Sequence, residues 1–582
     1  MARVEIASQA WGWLVDANGN PLSSTSATLK NLDGTNATHW TAVTGGSSAT
    51  SALTSNSDGT LPKFVEEGSY TLTVGATSRR VEAAGGEANW ENVKRWGAVG
   101  DGTTDDTTAV EAAVAALPAT GGAVFFPRGT FLVNNVGVTG KDNVTFTGPG
   151  TLKRKAGTVS PDNTYVVDVQ SCDTFRLVGL TVDFNNIERF GGFNIGGCAG
   201  VEVDGCRFYD SNLNASWSSY DHYALVIQTS TDVRVHHCIA EDCELVEVDN
   251  NERVEVDNNV SLRAAGTCAI GWFSVGNGYY AREYNIHDNV IIDPRKRGIL
   301  FQHESGGPDN NDVRNIQIHH NTVCHLTSTA GSGTSALIDF TTAAATGTGN
   351  TLENVSITDN VLYVDAALTA RTGPHLRVRH VSGNTWDGMT VARNKVWANT
   401  TDWAIDCRFI TNGQVEDNKV VGTATSGVQF HTLTGCRVAG NHAKASANAF
   451  GLISSGGGNV VSGNEPIGSP TAVWHTSSAA AATDRIVPGS GLKSVASAAT
   501  LTLPLDAGDV VSVTGSTTVT SITATGMAGR RVTLVWAAAA TFDVTDGSNL
   551  KLASSITAHD ADDSLTLACD GTNWLECGRS VN

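Results

Sequence analysis

Glu247 and Asp249, two carboxylates one residue apart in the run LVEVDN, are the first residues of this chain whose types and spacing could do chemistry. On an extended strand they share a face, with backbones about 6.6–6.8 Å apart. Glycosidic hydrolysis uses two carboxyl groups about 5–5.5 Å apart for retention and about 6.5–9.5 Å apart for inversion. The pair therefore suits acid–base attack on a sugar bond. In the later segment IGWFS the same alternation turns Trp272 and Ser274 outward. An aromatic face stacks on a pyranose, and by excluding water it raises a neighbouring carboxyl pKa toward that of a working acid. Leu300 with Gln302, then Asp339 with Thr341, occupy the corresponding outward places on the next segments, which makes Asp339 a further catalytic candidate.

Three other groups extend this surface. Glu304 and His303, in QHESGGPDNND, follow Gln302 directly and offer an acid and a base or hydrogen-bonding group. The loop NASWSSYDHYALVIQ brings Trp217, Tyr220, Asp221, His222 and Tyr223 together just before a strand, a mixture of aromatics, acid and imidazole that suits carbohydrate. The basic run DPRKRG, with Arg295, Lys296 and Arg297, suits an acidic sugar or the base and charge neutralisation of a lyase. Each has a plainer reading, as solvated strand carboxylates, a packed loop or subunit contact, and a charged turn.

A repeat must position these residues. Alternating apolar residues lead to a Cys or Asn anchor in VEVDGC (Cys206), VRVHHC (Cys238), VEVDNN (Asn259), YNIHDN (Asn289), IQIHHN (Asn321), VSITDN (Asn360), MTVARN (Asn394), GQVEDN (Asn418), CRVAGN (Asn441) and VVSGN (Asn464). Repeats of twenty to forty residues with period-two alternation specify a β-solenoid. Asn adopts left-handed backbone angles at turns, and stacked coils bring such side chains about 4.8 Å apart, close enough to hydrogen-bond as a ladder. A second strand before each anchor puts Ile195, Ile227, Val248, Phe273, Phe301, Phe340, Cys407, Phe430 and Ile453 in one inward column. The longest coils lie between Cys206 and Asn394, where surplus loop can build a binding face.

A solenoid end needs a cover. In TTDDTTAVEAAVAALPATGG, Asp105 or Asp106 is placed to N-cap a helix over about 105–117 whose apolar face is Val110, Ala113, Val114 and Leu117. The preceding WGAVGDGTTDD lacks the Gly-Lys-Ser/Thr ending of a phosphate loop and the ligand spacing of a calcium loop, so it shapes backbone. WGAVGDGTTDDTTAVEAAVAAL followed by GGAVFFPRGTFLV resembles the opening motif of the pectate-lyase-like superfamily of right-handed parallel β-helices, over residues 92–133, and the coil pattern continues to about 468. That superfamily includes polysaccharide lyases, glycoside hydrolases, epimerases and bacteriophage tailspikes. The resemblance implies an all-β chain with a right-handed parallel β-helix over 89–475.

The two ends refine this. Residues 1–88 show short strands and turn signals of a β-sandwich and resemble prealbumin-like modules at the base of some tail proteins. A linker spans 476–488, and residues 489–582 alternate as a second β-sandwich. There SITATGMAGRRVTLVW, VTDGSNLKL and CDGTNWLECGRSVN are similar to a C-terminal module of phage tailspikes and tail fibres. The resemblance implies a tailspike depolymerase: a homotrimer in the virion tail, anchored to a baseplate or tail protein by its N-terminus. Its C-terminal domain would assist trimerisation or bind glycan, and its partner would be a bacterial surface polysaccharide such as capsule, lipopolysaccharide or cell-wall glycan.

Composition sets the remaining expectations. A formal net charge of −20 argues against nucleic acid and anionic membranes as general partners. The start of the chain has no charged and apolar signal-peptide pattern, and no apolar run is long enough to span a bilayer, so synthesis in the host cytoplasm without membrane insertion is expected. Eleven Cys without a CxxC pair read as reduced structural thiols, and neither metal nor cofactor is expected. The chemistry expected is glycoside hydrolysis by paired carboxylates. Lyase action on a uronic-acid polymer, and a receptor-binding adhesin without turnover, are the alternatives.

Overall fold

A computed structural model describes residues 90–155, 165–186, 192–210, 223–264, 266–274, 278–303, 311–327, 335–342, 351–368, 370–379, 386–452, 455–468, 470, 472–476, 485–487, 493–503, 509–525, 527–557 and 563–580. Before residue 90 it describes 3–5, 26–31, 35–37, 39–40, 48–49, 53–54, 64–66, 68–74 and 77–83. The chain is all-β and carries a right-handed parallel β-helix. It divides into two compact units, Met1–Ala269 and Ile270–Asn582.

In the first unit, short strands stack into parallel ladders. One runs Gly122–Phe125, Val144–Thr147, Thr174–Val178, Gly200–Asp204, Thr231–His236 and Glu252–Asp257. Another runs Val136–Thr139, Val167–Gln170, Phe193–Gly196, Tyr223–Gln228 and Glu244–Asp249. Parallel register places like positions of successive coils above one another, so one inward residue per coil becomes a continuous core column. Val169, Ile195, Ile227 and Val248 form such a column, each essentially without solvent exposure.

The cover is the helix Thr107–Ala116, with Val110, Ala113, Val114 and Leu117 buried as expected. Its two acids divide the work differently from the N-cap expectation. Asp106 occupies the N-cap position but makes no capping bond; its carboxylate accepts from the backbone N–H of Val99 (2.6 Å) and Gly100 (3.1 Å). Asp105 instead accepts from the Thr107 backbone (3.1 Å) and pairs with Lys155 (2.6 Å). Gly100 turns with φ +67°, and a Cβ there would strike the Phe131 ring. The acidic run therefore fastens a turn to a helix.

In the second unit, Asn289, Asn321, Asn360, Asn394, Asn418, Asn441 and Asn464 form the ladder. Each Nδ2 donates to the next Oδ1 at 2.8–3.0 Å. The left-handed residue is the one before each ladder Asn, such as Asp288 (φ 54°), Asp359 (φ 58°) and Asp417 (φ 53°), which corrects the expectation that the Asn itself takes those angles. The turn at the preceding residue aims the amide inward, where it meets its neighbours; Asn289, Asn321 and Asn464 also donate to the backbone carbonyl two residues before them, at 2.9, 3.0 and 3.2 Å. Phe301, Phe340, Cys407 and Phe430 fill the inward column as expected, and its next member is Leu452 rather than Ile453, which lies outside the described residues.

Toward the N-terminus, described strands pair antiparallel in two four-stranded sheets. Toward the C-terminus, Lys493–Ala496, Val510–Thr514 and Arg531–Trp536 pair in parallel, and Arg531–Trp536, Ser564–Cys569 and Trp574–Ser580 pair antiparallel, around a core including Trp536, Phe542 and Trp574. This mixed sheet differs from an antiparallel sandwich. Parallel neighbours need a long return connection, and the segments joining these strands supply it. Ten of the eleven cysteines are buried, and Cys577 is exposed.

Candidate functional site

Glu247 and Asp249 do share the outer face of Glu244–Asp249, beside Val226 and Gln228 of the preceding coil, while Val246 and Val248 point inward. Further along the same face Asp168 accepts hydrogen bonds from Gln170 and Asn194, both at 2.8 Å. Burial, then the charges of Glu247 and Asp168, raise the Tyr165 phenol above its usual pKa. This unit thus presents acids among neutral amides and a phenol.

Trp272 is not a sugar platform. It has no solvent exposure and packs against Tyr284 (5.8 Å between ring centroids), Phe301 (5.5 Å) and Phe340 (6.0 Å), inside the core. The inward residue of this strand is Trp272 and not Phe273. CAIGWFS is apolar throughout, so alternation could not decide which of the adjacent aromatics enters the core, and the larger fills it.

The second unit carries a charged column on its outer face. Register stacks Asp339 on Arg377, Arg377 on Asp406, Asp406 on Gln429 and Gln429 on Gly451. Asp339 is 1% exposed; one oxygen accepts from Arg297 Nε at 2.9 Å, and the other faces Arg377 Nε at 3.2 Å as an ion pair without hydrogen-bond alignment. Asp406, 4% exposed, accepts both bonds of Arg408 Nε (2.7 and 2.9 Å), and Arg408 Nη2 reaches Gln429 Oε1 at 3.1 Å. Beside this line Thr341 stacks on exposed Arg379, and Arg408 on half-buried His431.

Electrostatics distinguish the members. Burial raises the Asp406 carboxyl, against the pull of Arg408 and Arg377. Burial also brings the Arg371 guanidinium down to about 10, with Arg377 and Arg297 adding repulsion. The hydrogen bonds of Arg371 go to His325 Nε2 (3.1 Å) and the Ser335 carbonyl. Arg297, Arg371, Arg377, Arg379 and Arg408 gather around Asp339, Asp402 and Asp406, with Asp293 and Asp365 at the His325 end. In a chain of net charge −20 this is a local gathering of arginine. Trp403 borders it: a Cβ on Gly451 would collide with the indole, so that glycine lets the ring lie against the strand.

Of the residues expected from sequence, the structure joins Arg297 to Asp339 and turns Gln302 outward opposite Thr341. Arg295 is half-buried on the same approach. Trp217, Tyr220, Asp221, His222 and Glu304, and the side chain of His303, lie outside the described residues. Sequence reasoning missed Arg377, Arg379, Trp403, Asp406, Arg408 and His431. The strands AIDCRF and GVQFH carry the inward Cys407 and Phe430, and their outward partners read in register are Asp406, Arg408 and His431.

A family model described as rhamnogalacturonase A/epimerase, pectate lyase-like, matches residues 90–241. No curated protein sequence matches the chain. Among solved structures, the surface adhesin PfbA of Streptococcus pneumoniae is 17% identical, covering 61% of this chain and 90% of its own, with a TM-score of 0.44. A family 28 exopolygalacturonase of Yersinia enterocolitica is 10% identical, with 70% and 82% covered and a TM-score of 0.40. The Dettilon tailspike protein is 13% identical, with 66% and 69% covered and a TM-score of 0.38.

Proposed function

We propose that the chain binds and cleaves an anionic bacterial surface polysaccharide by glycosidic hydrolysis on the outer face of the unit Ile270–Asn582. The observation that carries this reading is the line Asp339–Arg377–Asp406. Its two carboxylates are two coil steps apart, about 9.5 Å at the backbone. That lies near the upper end of the spacing of an inverting pair. Asp406, whose pKa burial raises, protonates the leaving oxygen as the glycosidic bond breaks. Asp339 takes a proton from the attacking water, whose oxygen bonds to the anomeric carbon. Arg379, Arg408 and His431 hold acidic substituents of the polymer, and Trp403 stacks on a sugar ring.

The matched family is described by polysaccharide-acting enzymes, which supports a glycan substrate. The resemblance of the two chain ends to tail modules supports a phage tailspike, a homotrimer attached to the virion through residues 1–88. The burial of Asp339 and Asp406 in ion pairs favours a second reading, an adhesin that uses this face without turnover. Incubation of the full chain with capsule, lipopolysaccharide or cell-wall glycan separates these readings. New reducing ends without the ultraviolet absorbance of an unsaturated uronate are expected. A rise in that absorbance would instead mean a lyase, and binding with neither product an adhesin.

A further inference from the structure

In the first unit Asp204 ends the strand Gly200–Asp204 and stacks beneath His236, the last residue of Thr231–His236. His237 follows at the corner with φ +53°, a left-handed turn that folds its ring back beside that of His236, the ring centroids 4.8 Å apart. Three donor atoms then converge. His236 Nδ1 and His237 Nδ1 are 2.9 Å apart, His237 Nδ1 and Asp204 Oδ1 3.2 Å, and His236 Nδ1 and Asp204 Oδ1 3.4 Å. Protons satisfy this arrangement poorly. Two bare ring nitrogens repel at this distance, two protonated ones clash, and a single shared proton serves only one of the contacts.

We propose that Asp204, His236 and His237 form a binding site for a divalent transition ion of the zinc class. A tetrahedral ion with arms of about 2.0–2.1 Å has ligand–ligand edges of roughly 3.3 Å, close to the three edges seen here. Two imidazole nitrogens with one carboxylate oxygen select zinc, cobalt or nickel over calcium or magnesium, which prefer all-oxygen sets. The outer shell is also in place: His236 Nε2, buried and without another partner, faces Glu202 Oε1 at 3.5 Å. A carboxylate behind the second nitrogen orients a ligating histidine. The other oxygen of Glu202 is held by Arg176 at 3.0 Å. Side-chain exposures of 59% at His237 and 38% at Asp204 leave a path for the ion and a fourth position for water. The ion joins one coil, through Asp204, to the next, through His236 and His237.

A second pair is a control within the same chain. His319 and His320 also bring their Nδ1 atoms together, at 2.7 Å, in the equivalent sequence IQIHHN. The place below His319 holds His287, whose ring stacks on it at 5.0 Å while its own Nδ1 turns to Asp288. Among the described residues no third donor completes a cluster on that pair.

The test uses the full chain, stripped with chelator and titrated with Zn2+ or Co2+. One ion per chain is expected, with the intense visible bands of tetrahedral Co2+, and metal should raise the melting temperature. His237→Gly is the decisive variant, since Gly205 occupies the same corner one coil earlier at φ +62° and the fold accepts glycine there. It should lose binding by about 100-fold or more while melting like the stripped parent; Glu202→Gln should weaken binding about tenfold. His320→Gly should bind as the parent does. The proposal is overturned by absence of Co2+ bands in the parent, by equal binding in His237→Gly and Asp204→Asn, or by equal losses in His237→Gly and His320→Gly.

Discussion

The Asn ladder and the Asp339–Arg377–Asp406 column belong to the same unit and arise from the same stacking, yet they solve opposite problems. In the ladder identical neutral amides meet, every amide hydrogen finds a carbonyl or a neighbouring Oδ1, and nothing is left over. In the column carboxylate and guanidinium alternate, and each buried carboxylate is held by arginine. One neutral residue type repeated satisfies itself, whereas the charged column depends on arginines from outside its own line.

The largest expected effect breaks the ladder. Asn394→Ala takes the Oδ1 acceptor from the Asn360 backbone N–H and side-chain amide and the Nδ2 donor from the Ile357 carbonyl, each loss costing about 1–3 kcal/mol when buried. Loss of roughly 5 kcal/mol should appear as a large fall in melting temperature, with glycan recognition intact in whatever protein stays folded. Asp339→Ala comes next. It leaves the half-buried Arg297 and Arg377 without this buried carboxylate, a change worth about 3 kcal/mol, and thermal unfolding should also show it.

The third effect is a pH slope. The His375 imidazole is fully buried, and burial lowers its pKa to about 3, with Arg371 and His325 adding repulsion. Because the folded pKa lies below the unfolded one, the unfolded chain takes up the proton first as the pH falls. Stability should therefore decline by up to about 1.4 kcal/mol per pH unit from about 6.5 down to about 3, and His375→Asn should flatten that part of the profile. The smallest change in stability is expected for exposed Arg379→Ala, within about 0.5 kcal/mol. That variant should nonetheless bind an acidic polysaccharide more weakly and with a shallower salt dependence, as isothermal titration would show.

Much of the fold was legible because its rules are local. The anchor Asn residues, the inward alternation and the covering helix each follow from a short stretch of sequence. Trp272 was misplaced because an unbroken apolar run has no alternation to read. The column was hidden for a different reason: Asp339, Arg377 and Asp406 are far apart in sequence, and only register unites them. Unequal coil lengths kept that register from being counted off residue by residue.

The central claim, that chemistry resides on this column, is tested by comparing Asp406→Asn with Glu247→Gln in release of reducing ends from a cleaved acidic glycan. The account predicts that Asp406→Asn abolishes turnover while retaining binding, and that Glu247→Gln cleaves like the unsubstituted chain. Full activity in Asp406→Asn with none in Glu247→Gln would contradict it and move the reaction to the face of Glu244–Asp249.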